Sequence, residues 1–310
     1  MTTRSHPALQ IYTPDGNFIR AWDRPELFSE TGPALFQNRE ARINLHYLRF
    51  DDDDNVWICH TTRHVVQKCN QDGDVLMTLG TYDEPGDDEN HFNRPADMTI
   101  TPAGVFIADG YGNRRIVHYS LDGRFIKTWG QQGINPGEFI LPHGIHHDPS
   151  YPEGRLYVAD RLNERVQVFD YEGNLLDIWR DLVMPWAILV TNPDEIWIAG
   201  SAAHDRANVL RAVNDNPSQL VAKFNADGRI LQMCSFYVGI PYIARYVTGD
   251  RDFSVPGVNL NRPGDLNVLH DMAFDSMVNL YCATAGGTQL VQKYTPVYDM
   301  TTTRENGQPL

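Results

Sequence analysis

Residues 97–130 read DMTITPAGVFIADGYGNRRIVHYSLDGRFIKTWG, and they decide the fold. Short runs of β-forming residues alternate with turn residues, and the last two runs are joined by Asp122-Gly123. An Asp-Gly pair between alternating apolar and polar residues is a strong hairpin signal, because glycine accepts a positive φ without strain. The stretch therefore reads as four antiparallel strands in sequence.

The pattern recurs. KCNQDGDVLMTLG, VFDYEGNLLDIWR, KFNADGRILQMCS and IYTPDGNFIRAW repeat the hairpin, with turn glycines Gly73, Gly173, Gly228 and Gly16 beside Gly123. A period of roughly 50 residues built from four strands describes a propeller blade rather than a helical solenoid. Five such units are counted from residue 46 onward, and residues 9–22 supply only an outer hairpin. That hairpin is expected either to complete a sixth blade or to close the ring beside the last unit, because an open blade edge would expose unpaired backbone groups.

The motifs ADGYGNRRIVHYSLDG and ADRLNERVQVFDYEG resemble the NHL repeat, a builder of six-bladed propellers. The resemblance implies an all-β, six-bladed β-propeller with an incomplete first blade, spanning residues 1–310 as a single domain.

Composition narrows the partners. The chain has 310 residues, 42% of them hydrophobic, and a net charge of -14. So acidic a protein is a poor partner for nucleic acid or for an anionic membrane surface. No apolar run is long enough to cross a bilayer. The four cysteines, Cys59, Cys69, Cys234 and Cys282, lie far apart without a CxxC pair, which points to reduced thiols in a cytoplasmic protein.

One position in each unit stands out. Immediately before the first strand of each blade, the residues are His46, Ala96, His143, Trp186 and His270. In a ring of six, these histidines fall on alternate blades at one mouth of the central channel. Three converging imidazoles with an open axial position suit a catalytic divalent ion, zinc above all. The loops between second and third strands are expected at the same mouth, and they carry Tyr111 and Arg161. A phenol there can transfer protons, and a guanidinium can hold a carboxylate. Arg115 and Arg165, further along the motif, read as structural. So do His146 and His147, and the acidic run at residues 51–54 reads as a solvated turn.

LHYLRFD, DGYGNRRIV, LPHGI, VADRLNERVQVF and LHDMAFD together resemble the motifs of peptidyl-α-hydroxyglycine α-amidating lyase. That resemblance implies His46, His143 and His270 as zinc ligands, Tyr111 as the catalytic tyrosine, and Arg161 as an active-site arginine. It also implies a structural calcium associated with Asp271. The family's reaction splits a carbinolamide into an amide and glyoxylate. The chain departs from the family in lacking the inner strands that carry a further arginine in the first blade, and Gly112 stands where secreted members have a cysteine.

Residues 236–268 form an insertion before His270, expected to act as a lid, from which Arg245 or Arg251 would replace that arginine. A covered pocket favours a compact α-hydroxy acid or amide as the small-molecule substrate. No phosphate-binding glycine loop or serine elbow is present. Three readings stay open: a metal-dependent lyase, a hydratase or hydrolase using metal-bound water in the same site, and a non-enzymatic NHL propeller that binds a partner.

Overall fold

The computed structural model describes residues 9–22, 45–180, 184–193, 195–201, 219–236, 269–284 and 291–295. The protein is an all-β propeller. Its blades are successive antiparallel sheets, each built from strands consecutive in the chain. The first comprises β3 (Leu45–Phe50), β4 (Val56–His60), β5 (Val65–Cys69) and β6 (Val75–Leu79). The second comprises β7 (Asp97–Thr101), β8 (Gly104–Asp109), β9 (Arg115–Tyr119) and β10 (Phe125–Trp129). The third comprises β11 (Pro142–Asp148), β12 (Arg155–Asp160), β13 (Arg165–Phe169) and β14 (Leu175–Trp179). The fourth comprises β15 (Met184–Asn192), β16 (Glu195–Ser201), β17 (Gln219–Phe224) and β18 (Ile230–Phe236). The last has β19 (Leu269–Phe274), β20 (Leu280–Thr284) and β21 (Val291–Tyr294). Before them, β1 (Gln10–Tyr12) and β2 (Phe18–Ala21) pair with each other and, among the described residues, with no further strand.

The expectation of six blades is thus corrected: the described residues form five, plus the β1–β2 hairpin. The hairpin lacks inner strands among the described residues, and a blade cannot be counted without them. It nevertheless packs as an outer half-blade does. Trp22, just after β2, is buried with Val56, Ile58 and Cys69 of the first blade, and its indole donates to Gln71 O at 3.0 Å.

Chain position explains burial. The second and third strands of a blade are covered on both faces, so β8, β9 and β13 are buried throughout. The outermost strands alternate instead: in β10, Phe125, Lys127 and Trp129 are half-buried while Ile126 and Thr128 are exposed. That is the period-2 pattern that made the hairpins legible.

The contacts divide the chain into two compact units, residues 1–147 with 170–175 and residues 148–169 with 176–310. Within the second unit, Tyr157, Val166 and Val168 pack with Trp179, Ile188, Ile198 and Phe224 in one apolar cluster. Burying each large apolar side chain contributes about 1.5–3 kcal/mol.

A second repeated device locks neighbouring hairpins. The turn glycines all have positive φ, from +73° at Gly228 to +86° at Gly73. A tryptophan that ends or follows an outer strand lies against the next glycine: Trp22 on Gly73, Trp129 on Gly173 and Trp179 on Gly228. Only glycine leaves room for those rings.

Arg115 and Arg165 are structural, as expected. Arg115 Nε lies 3.0 Å from Asp109 Oδ2, and Arg165 Nε lies 2.9 Å from Asp160 Oδ2, with all four residues buried. The acidic run begins with Asp51, which accepts bonds from Asn55 and the Trp57 indole and pairs with Lys68 at 2.8 Å. Burial opposes its charge, but Lys68, Trp57 and Asn55 outweigh burial and hold the carboxyl well below its usual range. Cys59, Cys69 and Cys282 are buried and outside any disulfide, and burial pushes the Cys59 thiol well above its ordinary value. Among the described residues, no helix is long and apolar enough to cross a membrane.

Candidate metal centre

Ala96 lies just before its inner strand, whereas the other four singled-out positions lie inside theirs. His46 is the second residue of β3, His143 the second of β11, Trp186 the third of β15 and His270 the second of β19. Three of these positions sit on irregularities of the ladder. The register shifts between Leu45 and Leu48, between Pro185 and Ala187, and between Leu269 and Asp271. A bulge re-aims the side chain it carries, which is why such irregularities gather at functional positions.

In the first unit, His46, Tyr111 and His143 form one cluster. The Tyr111 hydroxyl lies 2.9 Å from His46 Nε2 and 2.9 Å from His143 Nε2. The two imidazole centroids are 4.8 Å apart, edge to face. His143 is fully buried, while His46 and Tyr111 are half-buried. Tyr111 reaches the pair from the loop between β8 and β9.

His46 Nδ1 lies 2.6 Å from Ala96 O. A carbonyl only accepts, so Nδ1 carries the proton and a neutral His46 presents an Nε2 lone pair toward Tyr111. Metal-binding histidines have this same arrangement, with the second nitrogen donating to a backbone carbonyl.

In the second unit, Arg161 opens the short turn Arg161–Asn163 between β12 and β13. Its guanidinium carbon lies 3.0 Å from the centroid of the Trp186 ring, and Trp186 packs on His270 with centroids 5.6 Å apart. Stacking on an aromatic face fixes the plane of a guanidinium. Asp271 follows His270, and its Oδ1 accepts the Met272 N–H at 2.8 Å. His46, His143 and His270 are the three histidines at the marked positions, and each offers one ring nitrogen as a ligand atom. The donors are three imidazoles with no thiolate among them, which suits zinc or a similar divalent ion in a catalytic site.

His146 and His147 stand apart from this cluster. His146 Nδ1 lies 3.0 Å from the His147 carbonyl oxygen, and His147 Nδ1 lies 3.0 Å from Thr99 Oγ1. Residues 237–268, the expected lid with Arg245 and Arg251, lie outside the described residues.

Two features escaped the sequence reading. One is Trp186, noted only as a non-ligand, which packs against both Arg161 and His270. The other is the ion pair of half-buried Arg49 with buried Asp97. Asp97 follows its blade's marked position as Asp271 follows His270, and that parallel was a readable signal.

Comparison with known proteins adds a second line of observation. No family model matches the chain. Peptidyl-glycine alpha-amidating monooxygenase of Mus musculus is 39% identical over 156 residues, covering 47% of this chain and 15% of that protein. NHL repeat-containing protein 3 of Homo sapiens is 32% identical over 185 residues, covering 56% of this chain and 49% of the relative. The probable peptidyl-alpha-hydroxyglycine alpha-amidating lyase pgal-1 of Caenorhabditis elegans is 29% identical over 205 residues, covering 63% and 55%.

The chain's homologues are NHL-repeat and α-amidating-lyase proteins. It spans only about half the length of the human and nematode relatives and 15% of the mouse monooxygenase. Among solved structures, a gluconolactonase of Xanthomonas campestris superposes with a TM-score of 0.52 at 14% identity, covering 83% of this chain and 74% of that one. At that identity the likeness speaks for the propeller alone.

Proposed function

We propose that the chain is a metal-dependent lyase acting on a carbinolamide of the α-hydroxyglycine type, releasing an amide and glyoxylate. The observation that carries this reading is the Tyr111 hydroxyl, 2.9 Å from both His46 Nε2 and His143 Nε2. It places a proton carrier at the nitrogens that would hold the ion. The named lyase and monooxygenase relatives support the same chemistry.

His46, His143 and His270 would hold the ion, which when bound supplies Lewis-acid polarisation of the substrate hydroxyl. The remaining steps belong to the chain. Tyr111 takes the hydroxyl proton, and the carbon–nitrogen bond breaks as the carbonyl forms. The same proton, relayed by Tyr111, ends on the departing nitrogen. No water is consumed and no electron changes hands. Arg161, fixed on Trp186, holds the substrate carboxylate. Asp271 is assigned a structural calcium on the resemblance alone. The buried thiols of Cys59, Cys69 and Cys282 support a reducing, cytoplasmic setting.

The similarity to NHL repeat-containing protein 3 favours a second reading, a propeller that binds a partner without catalysis. One experiment separates the readings. Zinc-loaded protein is incubated with a peptidyl-α-hydroxyglycine and with a compact α-hydroxy amide, in water enriched in the heavy oxygen isotope. Release of an aldehyde product together with an unlabelled amide supports the lyase. Solvent oxygen fixed in a carboxylic acid formed at the amide carbonyl supports a hydrolase, and silence on both substrates supports the binding module. The ratio of the two rates tests the expected preference for the compact substrate.

A further inference from the structure

We propose that the ion pair of half-buried Arg49 with buried Asp97 is a positioning device that sets the spacing of His46 and His143. The inference rests on the metal-site reading above and concerns residues that make no part of the cluster itself.

Asp97 opens β7 and is fully buried. Its Oδ2 accepts from Arg49 Nη2 of β3 at 2.8 Å and from the Ile145 backbone N–H of β11 at 3.0 Å. One carboxylate oxygen thereby ties together the inner strands of three blades. The tethered positions lie close to the imidazoles: Arg49 is three residues past His46, and Ile145 is two past His143. Ala96, whose carbonyl holds His46 Nδ1, immediately precedes Asp97.

A second path runs through side chains. The Arg49 guanidinium lies over the Tyr47 ring, 4.9 Å from its centroid, and Tyr47 is edge-on to His143 with centroids 5.9 Å apart. Tyr47 is almost wholly buried, so its ring cannot turn away without opening a void. His143 is thus braced from its strand and from its ring face by one ion pair. The brace has a clear purpose at β3. The bulge that aims His46 interrupts the regular ladder, and the strand needs another anchor just beyond it.

Removing Arg49 alone leaves the buried Asp97 carboxylate uncompensated, which is strongly destabilising in its own right. The test therefore neutralises both, with Arg49→Met/Asp97→Asn, in which the new side-chain amide oxygen still accepts from the Ile145 N–H. Zinc affinity, measured by chelator competition with the metal alone, should fall about tenfold or more, the usual effect of losing a group that orients a ligand. Arg165→Met/Asp160→Asn removes a buried pair and serves as the control, expected to lose stability while keeping zinc affinity. Arg49→Lys retains the charge without the planar fork, should fold where the double variant does not, and should lose affinity to an intermediate degree.

A crystal structure of the metal-free variant supplies a readout independent of zinc. At least one of the two Tyr111–Nε2 contacts should open beyond hydrogen-bonding reach. Unchanged contacts overturn the proposal, and so does zinc affinity equal to that of the wild type. If the wild type itself takes up no zinc, the metal reading fails while the contacts still decide the positioning role.

Discussion

Tyr111 carries the chemistry at the scale of single residues. Its hydroxyl lies within reach of both imidazole nitrogens described in the first unit. Tyr111→Phe should bind zinc normally yet lose about 10²-fold or more in turnover, the scale of a lost proton-transfer group. Rates measured with zinc-saturated protein check this, and undiminished turnover removes the phenol from the mechanism.

A different histidine governs stability. Burial, with help from nearby Arg63, lowers the His60 imidazole from 6.5 to about 4. Between those values the unfolded chain takes up a proton that the folded chain refuses. His60 should therefore leave stability undiminished above pH 6.5 and reduce it as pH falls toward 4, by roughly 3 kcal/mol at most. Urea melts at pH 7 and pH 5, repeated on His60→Leu, measure it: the variant should show a smaller difference between the two.

Residue types and their shared position could be read directly from the sequence, since His46, His143 and His270 occupy one phase of a repeat. The contacts of the Asp97 carboxylate could not, although its place after the marked position could. Its partners Arg49 and Ile145 are 48 residues away on either side, and a local pattern says nothing of contacts at that range.

At the scale of elements, the hairpin turns show both what local sequence specifies and where it stops. Five turns repeat a bond from the glycine N–H to the carbonyl three residues back, as in Gly123 to Ser120 at 3.0 Å. Such a bond is a four-residue affair and is readable from an Asp-Gly pair. The tryptophan lying on the next turn comes from another blade and is not. Two substitutions separate these effects. Gly16→Ala meets no atom within 4 Å and suffers only its positive φ, so it should destabilise by about 1 kcal/mol. Gly228→Ala adds a Cβ 2.5 Å from Trp179 Cδ1 at φ +73°, and should cost about 2–3 kcal/mol. Denaturant titration of both variants checks the difference, and equal losses would show that Trp179 yields freely. The bulges at His46 and His270 were likewise illegible. Period-2 counting assumes a regular ladder, and these strands break it where the functional side chain sits.

For the whole molecule, the propeller class was legible because the blade repeats, whereas the blade count was not. The hairpin β1–β2 ends in Trp22 against Gly73, the relation that Trp129 bears to Gly173 and Trp179 to Gly228. It therefore occupies the place of a blade's outer half, and hairpin periodicity alone cannot say whether inner strands accompany it. The central claim does not depend on that count. It is that His46, His143 and His270 hold one divalent ion. Elemental analysis of the dialysed protein tests this most directly, beside single His→Ala variants and the triple variant. About one zinc or similar ion per chain is expected in the wild type, with marked loss in each single variant and no bound ion in the triple. A triple variant that keeps the full stoichiometry, or a wild type that binds no divalent ion when offered it, contradicts the account.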